Sequence, residues 1–541
     1  MVGIRNAVLL RALGCAALVV VVASVAYGQA SNEGAGTAPV KACADLVKLQ
    51  IPGFAMTITK AEPVPTAPAG TVRLPLSSEA VPVAIPSYCR ADGTIDPHTG
   101  ADGKPYAIGF AIALPDNWNG RFLFQGGGGL DGAINPPYGS SAAGDAPALA
   151  RGFAVVAMDS GHRGAGFDAS FMKDQQASLD FAYVALGKVT AVAKQIVAQY
   201  YGAAPKHSYF VGCSTGGRQA MLAAERYPLE FDGAVSGDPA MRTANSNAGD
   251  GWAAVAFNQA APKDASGKPL TGKLFSASDR KLLIDSILAE CDAKDGLKDG
   301  MIFNPLGCPY DPAVIQCKGA KTDACLSSDQ VGSLKKALSP LRDSRGNEIY
   351  PGFIFDTGIA DSGRGPVAGG LVPSAVPTGP FGPNLATEYD ADQAAARIAG
   401  DAMQMQTDTN AWTNLSTFSS RGGKLLFYHG GSDPWFSPLD TLGYYKKMAE
   451  ANGGLVQVQG WSRFYFVPGM LHCGGGSAAL DKFDMLTAIV NWVEKGTPPD
   501  SVTATGKAFP GRSRPLCAYP KHAHYKGQGD PENAGSFECR D

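Results

Sequence analysis

The chain has 541 residues, 45% hydrophobic and only 18% charged. That apolar content fills a large core and excludes wholesale disorder. Its 67 glycines and 38 prolines indicate a loop-rich globular protein rather than a helical bundle. A formal net charge of −3 gives no electrostatic case for nucleic acid or an anionic membrane as partner.

Residues 1–30 hold Arg5 and Arg11, an apolar run from about Ala16 to Ala26, and small residues up to Ala30. The run is short for a bilayer span, and the pattern is that of a cleavable export signal. A secreted or periplasmic protein, free of the membrane after cleavage, is expected. Of the eleven cysteines, Cys15 would leave with the signal. The even number remaining suits a disulfide framework in an oxidising compartment. Cys291 lies near Cys308, Cys317 near Cys325 and Cys517 near Cys539, without the CxxC spacing of a zinc site. Counting alone leaves the connectivity open.

From Arg121 the chain alternates strand and helix. RFLFQ (121–125) is a short apolar run ending in Gly126–Gly129, and FAVVAMDS (153–160) is another. Asp180 to Tyr201 has helical spacing through Phe181, Val184, Val189, Val192 and Ile196. HSYFVG (207–212) reads as a strand, and residues 216–228 as a helix stopped by Pro228. The rhythm stops near Gly237 and returns with KLLFYHG (424–430), RFYFVPG (463–469) and a helix around Met485–Lys495. Between lie local cysteines and a Gly/Pro-rich tract at 363–383. The expectation is a mostly parallel sheet with helices on both faces. Residues 31–240 and 416–541 would form it, and 241–415 would be an inserted lid.

Gly212-Cys213-Ser214-Thr215-Gly216 is a G-x-S-x-G sequence between a predicted strand and a predicted helix. In a nucleophile elbow the serine sits on such a turn, where the helix N-terminus favours negative charge. A serine nucleophile needs a general base, and the base needs an acid to orient it. Among seven histidines, His472 follows an apolar run and precedes a Gly-rich turn, as a base on a strand-end loop would. His429 lies inside a strand and reads as structural, while His162 reads as a supporting residue. Asp433 follows the KLLFYHG strand as the acid, beside Trp435 and Phe436, which offer an aromatic wall to a flat acyl group. The order Ser214, Asp433, His472 is that of α/β-hydrolases. Oxyanion donors are expected from the Thr215 backbone and the Gly126–Gly129 turn. If Ser214 and His472 meet, Cys213 and Cys473 can form a bond that ties their loops together. Asp292, Asp295 and Asp299 on a Gly-containing loop suit a hard cation such as calcium.

GCSTGGR around Ser214, GGSDPWFSP around Asp433, PGMLHCGGG around His472 and CDAKDGLKDG around Asp292 together resemble the tannase and feruloyl esterase family, from Cys43 to Cys539. The resemblance implies an α/β-hydrolase domain with an inserted lid and a structural calcium. It implies the pairings Cys43–Cys89, Cys213–Cys473, Cys291–Cys308, Cys317–Cys325 and Cys517–Cys539. Calcium would sit on the carboxylates of Asp292, Asp295 and Asp299 and the carbonyls of Leu297 and Met301. Gly129 and Thr215 would donate to the oxyanion, and Phe436 would face the substrate ring. The expected activity is hydrolysis of small aromatic esters of hydroxycinnamoyl or galloyl type. The alternative is the terephthalate monoester that one branch of the family cleaves. That branch has Glu where this chain has Thr215 and a longer 350–400 region, and here Arg364 and Arg397 are the arginines near in sequence.

Overall fold

The computed structural model describes residues 36–74, 79–361 and 385–541. The expected export signal and the Gly/Pro-rich tract at 363–383, with Arg364, lie outside the described residues. Eleven strands matter here. They are β1 (Met56–Val64), β2 (Tyr88–Thr99), β3 (Pro105–Pro115), β4 (Arg121–Gln125), β5 (Ala154–Met158), β6 (His207–Cys213) and β7 (Gly233–Gly237). A short hairpin, β8 (Leu341–Arg342) and β9 (Glu348–Tyr350), precedes β10 (Lys424–Gly430) and β11 (Ser462–Val467). Nine of them form one sheet in the order β1-β2-β3-β5-β4-β6-β7-β10-β11. From β5 to β11 neighbours run parallel, whereas β1, β2 and β3 add an antiparallel edge that the strand–helix rhythm does not reveal.

The apolar runs are continuous because both sheet faces are covered. Phe122 and Phe124 of β4, Phe210 of β6 and Phe427 of β10 enter one core with the helices Ala185–Tyr201, Thr215–Glu225 and Pro438–Ala451. Leu123, Tyr209, Val211, Leu426 and Tyr428 point the other way, toward the helix Met485–Lys495. Each such fully buried apolar side chain contributes about 1.5–3 kcal/mol. One helical reading is revised. The expected helix at Asp180–Tyr201 begins earlier, at Gln175, where Asp174 accepts the Ala177 N–H. It passes through a π turn at Asp180–Val184. The cause lies on another helix, because the buried Arg218 guanidinium donates to the carbonyls of Phe181 and Ala182 at 3.0 and 2.8 Å.

Between β7 and β10 run the helices Thr243–Ala260, Ala277–Cys291, Ser328–Leu338, Ala391–Gly400 and Ala402–Thr407. They build cores of their own, one around Phe257, Leu283, Ile287 and Leu334, another around Ile349 and Tyr350. Ser276 with Asp279, and Ser327 with Gln330, form capping boxes that start two of these helices. Arg242, at the entrance to the segment, is paired with Asp440 at 2.5 Å. The segment belongs to the same compact unit as the sheet, Gly36–Asp541. Five disulfides form with the pairings the family resemblance implies, at Cα–Cα distances of 4.9–5.9 Å, within the usual span for the bond.

Candidate active site

The C-terminal ends of the parallel strands place the functional side chains together. Ser214 follows β6 with φ 64° and ψ −124°, and the helix Thr215–Glu225 starts directly after it. A non-glycine residue rarely adopts that backbone conformation. It is tolerated here because Ser214 N–H donates to the Gly237 carbonyl at 3.0 Å, and Ser214 O accepts from Arg218 and Ala240. The flanking glycines are steric necessities. A Cβ on Gly212 would lie 2.5 Å from the Gly216 carbonyl carbon, and one on Gly216 would lie 2.8 Å from the Gly127 oxygen. The G-x-S-x-G spacing therefore lets the elbow press against the Gly126–Gly129 turn after β4.

Asp433 follows β10 and is 1% exposed. Its Oδ1 accepts the N–H groups of Trp435 and Phe436 at 2.8 and 3.1 Å, and its Oδ2 lies 2.7 Å from His472 Nδ1. Burial opposes ionisation, but the neighbouring His472 and His429 outweigh it and hold the carboxyl well below its usual range. His472 Nε2 is buried without a hydrogen-bond partner, so Ser214 Oγ is not bonded to it in this state. Such contacts often tighten only when substrate binds. The rings of Trp435 and Phe436 lie 4.6 and 5.2 Å from the His472 ring. The Cys213–Cys473 bond, Cα–Cα 5.9 Å, joins the residue before the serine to the residue after the histidine.

Gly129 has φ 60°, and a Cβ there would stand 2.2 Å from the Gly166 oxygen, so glycine is required. Thr215 Oγ1 donates to the Gly129 carbonyl and fixes the turn over the helix start. Among the described residues, neither the Gly129 nor the Thr215 N–H is taken up by a backbone carbonyl. Beneath this turn Gln219 accepts the Gly127 N–H at 3.0 Å and donates to Asp131 at 2.8 Å. Burial pushes Asp131 up to about 6. His162 stacks on Phe171 at 3.7 Å and is pushed down to about 4, again by burial.

Sequence reasoning sets His429 apart as structural. The structure places its Nε2 3.4 Å from Asp433 Oδ2 and 3.7 Å from Asp238 Oδ1. Asp238, fully buried after β7, is absent from the sequence reading altogether. Its only sequence signal is its place after a strand, in Gly237-Asp238-Pro239.

The acidic loop lies in the inserted segment. Asp292 accepts the N–H groups of Asp299 and Gly300 at 3.1 and 3.0 Å, and Asp295 accepts those of Leu297 and Phe303 at 3.3 and 3.1 Å. Asp299 accepts the Met301 N–H at 3.2 Å and pairs with Arg514. Burial, with the adjacent carboxylates adding to it, pushes Asp295 up to about 7, and Asp292 is also raised. The loop offers only oxygen donors, the set a hard divalent cation takes, with one of its three carboxylates, Asp299, already paired with Arg514.

The fold is of the α/β-hydrolase type, and the family and relatives it matches make the chain a carboxylic ester hydrolase. The family model described as "Tannase and feruloyl esterase" matches residues 89–366 and 367–540, and the chain belongs to that family. It is 37% identical over 518 residues to the mono(2-hydroxyethyl) terephthalate hydrolase of Piscinibacter sakaiensis, covering 84% of this chain and 85% of that protein. It is 32% identical over 454 residues to a probable feruloyl esterase B-2 of Aspergillus terreus, covering 79% and 82%. The crystal structure of feruloyl esterase B from Aspergillus oryzae superposes with a TM-score of 0.72 at 26% identity, covering 92% of this chain and 99% of that one.

Proposed function

We propose that the protein is an exported serine esterase that cleaves small aromatic carboxylic esters of hydroxycinnamoyl or galloyl type. The observation that carries the catalytic assignment is the 2.7 Å contact between Asp433 and His472 Nδ1, which leaves Nε2 as the nitrogen facing outward from the pair. Ser214 attacks the ester carbonyl, and His472 Nε2 takes its proton and passes it to the leaving alcohol. Asp433 fixes the ring and meets the imidazolium charge. The N–H groups of Gly129 and Thr215 receive the oxyanion. Water then attacks the acyl-enzyme by the same route, releasing the acid and restoring Ser214. Trp435 and Phe436 line the aromatic acyl group. Residues 241–415 act as the lid over the strand ends. Calcium on Asp292, Asp295 and Asp299 and on the carbonyls of Leu297 and Met301 would supply rigidity to the lid and no chemistry to the ester. Export is supported by the five disulfides, which persist in oxidising compartments.

A second reading is hydrolysis of mono(2-hydroxyethyl) terephthalate, favoured by the 37% identity to that hydrolase. Its substrate carries a free carboxylate, which asks for a cation in the acyl pocket. The test is hydrolysis of methyl ferulate, methyl gallate and mono(2-hydroxyethyl) terephthalate in parallel, each against Ser214→Ala. One of the first two should be preferred, and Ser214→Ala should lose activity by about 10⁴-fold or more. Preference for the terephthalate ester selects the second reading. Turnover of only a small p-nitrophenyl ester overturns the aromatic assignment while keeping the triad.

A further inference from the structure

We infer that Asp238 is a positioning residue for the whole triad, holding the acid loop and the histidine loop at once and, through His429, setting the electrostatic field in which His472 exchanges its proton. The inference rests on the serine-esterase reading above and adds two residues to it. The hydrogen bonds of Asp238 carry the first half. Oδ1 accepts the Gly430 N–H at 2.7 Å, at the end of the strand that leads to Asp433. Oδ2 accepts the Cys473 N–H at 2.6 Å, from the residue next to His472. The same Oδ2 lies 3.5 Å from Cys213 Sγ, in the residue before Ser214. Asp238 is itself placed by its N–H, which donates to the Tyr428 carbonyl at 3.0 Å, and by Gly237, whose carbonyl receives the Ser214 N–H. One carboxylate thus hydrogen-bonds to the end of the strand that leads to Asp433 and to the residue after His472, and it touches the disulfide sulfur of the residue before Ser214. Both its oxygens accept from N–H groups, which favours the ionised form, and His429 works in the same direction, while burial and the nearby Asp433 push its pKa upward.

His429 carries the second half. Its Nε2 faces acceptors only: the Phe436 carbonyl at 2.9 Å, Asp433 Oδ2 and Asp238 Oδ1. That nitrogen must carry a proton. Nδ1 meets the Thr441 hydroxyl at 2.8 Å, which can accept from a doubly protonated ring. Burial disfavours the cation, but Asp238 and then Asp433 reverse this and raise the His429 pKa. A buried row results, in which Asp238, His429, Asp433 and His472 alternate acid and imidazole. Two other buried acids complete the surroundings. Asp250 on the helix Thr243–Ala260 acts on Asp433 at longer range, and Asp356 accepts the Gly469 N–H at 2.7 Å.

The two residues carry opposite charge, and this separates positioning from packing. Asp238→Asn keeps the shape but removes an anion and one acceptor. It should lower kcat about 10–100-fold with little change in KM, as a loop displaced by a fraction of an ångström does. It should also move the acid limb of kcat/KM to lower pH by about half a unit to one unit, since the imidazolium loses a counter-charge. His429→Gln keeps a donor for the Phe436 carbonyl but removes a cation, and it should move the same limb to higher pH. Shifts in opposite directions support the inference. Unmoved limbs in both variants, or shifts of the same sign, overturn it. If Asp238→Asn does not accumulate as folded protein, the His429→Gln limb decides, a shift upward supporting and any other result refuting. Ser214→Ala is run alongside: residual wild-type-like activity there refutes the esterase reading itself, while an inactive Ser214→Ala beside unshifted Asp238→Asn and His429→Gln profiles refutes only this inference.

Discussion

Two sets of buried carboxylates in this fold shift in opposite directions, Asp433 at the strand ends and Asp292 with Asp295 in the inserted segment. At the strand ends Asp433 accepts two N–H groups and faces two histidines, which hold it ionised against its burial. In the inserted segment Asp292 and Asp295 also accept backbone N–H groups, yet burial and their acidic neighbours push them upward. Hydrogen bonds are common to both clusters. The imidazoles beside Asp433 distinguish it from Asp292 and Asp295, since in the acidic loop the arginine contacts go to Asp299. Asp433 is thus supplied with its counter-charge by neighbouring imidazoles, whereas Asp292 and Asp295 have no ion-pair partner among the described residues.

The largest effect should come from removing that counter-charge relationship at the strand end. Asp433→Asn keeps the side chain's shape but not its hold on His472 Nδ1, and kcat should fall about 10⁴-fold, measured with any ester the wild type cleaves. Asp295→Asn, the matching change in the other cluster, should leave kcat within about twofold. A comparable loss in both variants would erase the distinction. Next in size is chelation, which should lower the melting temperature of wild-type protein by about 5 °C and leave that of Asp295→Asn nearly unchanged. Equal melting with and without chelator would remove calcium from the account. The smallest effect concerns a histidine without the carboxylates that flank His429. Burial pushes His162 down to about 4 from an ordinary 6.5. The folded-state value is depressed, so the stability it contributes is fully present above about 6.5 and is lost as the pH falls through about 4. His162→Phe should flatten the melting temperature across that window, and an unchanged slope would rule the residue out as its source.

What could be read in advance follows how local each determinant is. The elbow was legible because its requirements lie within five consecutive residues between an apolar strand and a helix. The strands at 121–125, 207–212 and 424–430 were legible because two-sided burial makes them short with apolar centres. The edge strand β2 was not, since it reads RADGTIDPH in its middle and carries no apolar run. The π turn at Asp180–Val184 escaped because its cause is Arg218, more than 30 residues on. Asp238 escaped for the same reason at longer range: the groups that give it meaning, Gly430 and Cys473, are 192 and 235 residues away.

The Cys213–Cys473 bond closes a ring of chain 260 residues in circumference, and that ring contains the inserted segment and both strands that carry the acid and the base. During synthesis the serine exists long before its partners do, and in a reducing cytoplasm the ring has no means of closing. Such an architecture makes the bond a timer as well as a clamp. The ring is closed only after the last quarter of the chain has arrived and met an oxidant.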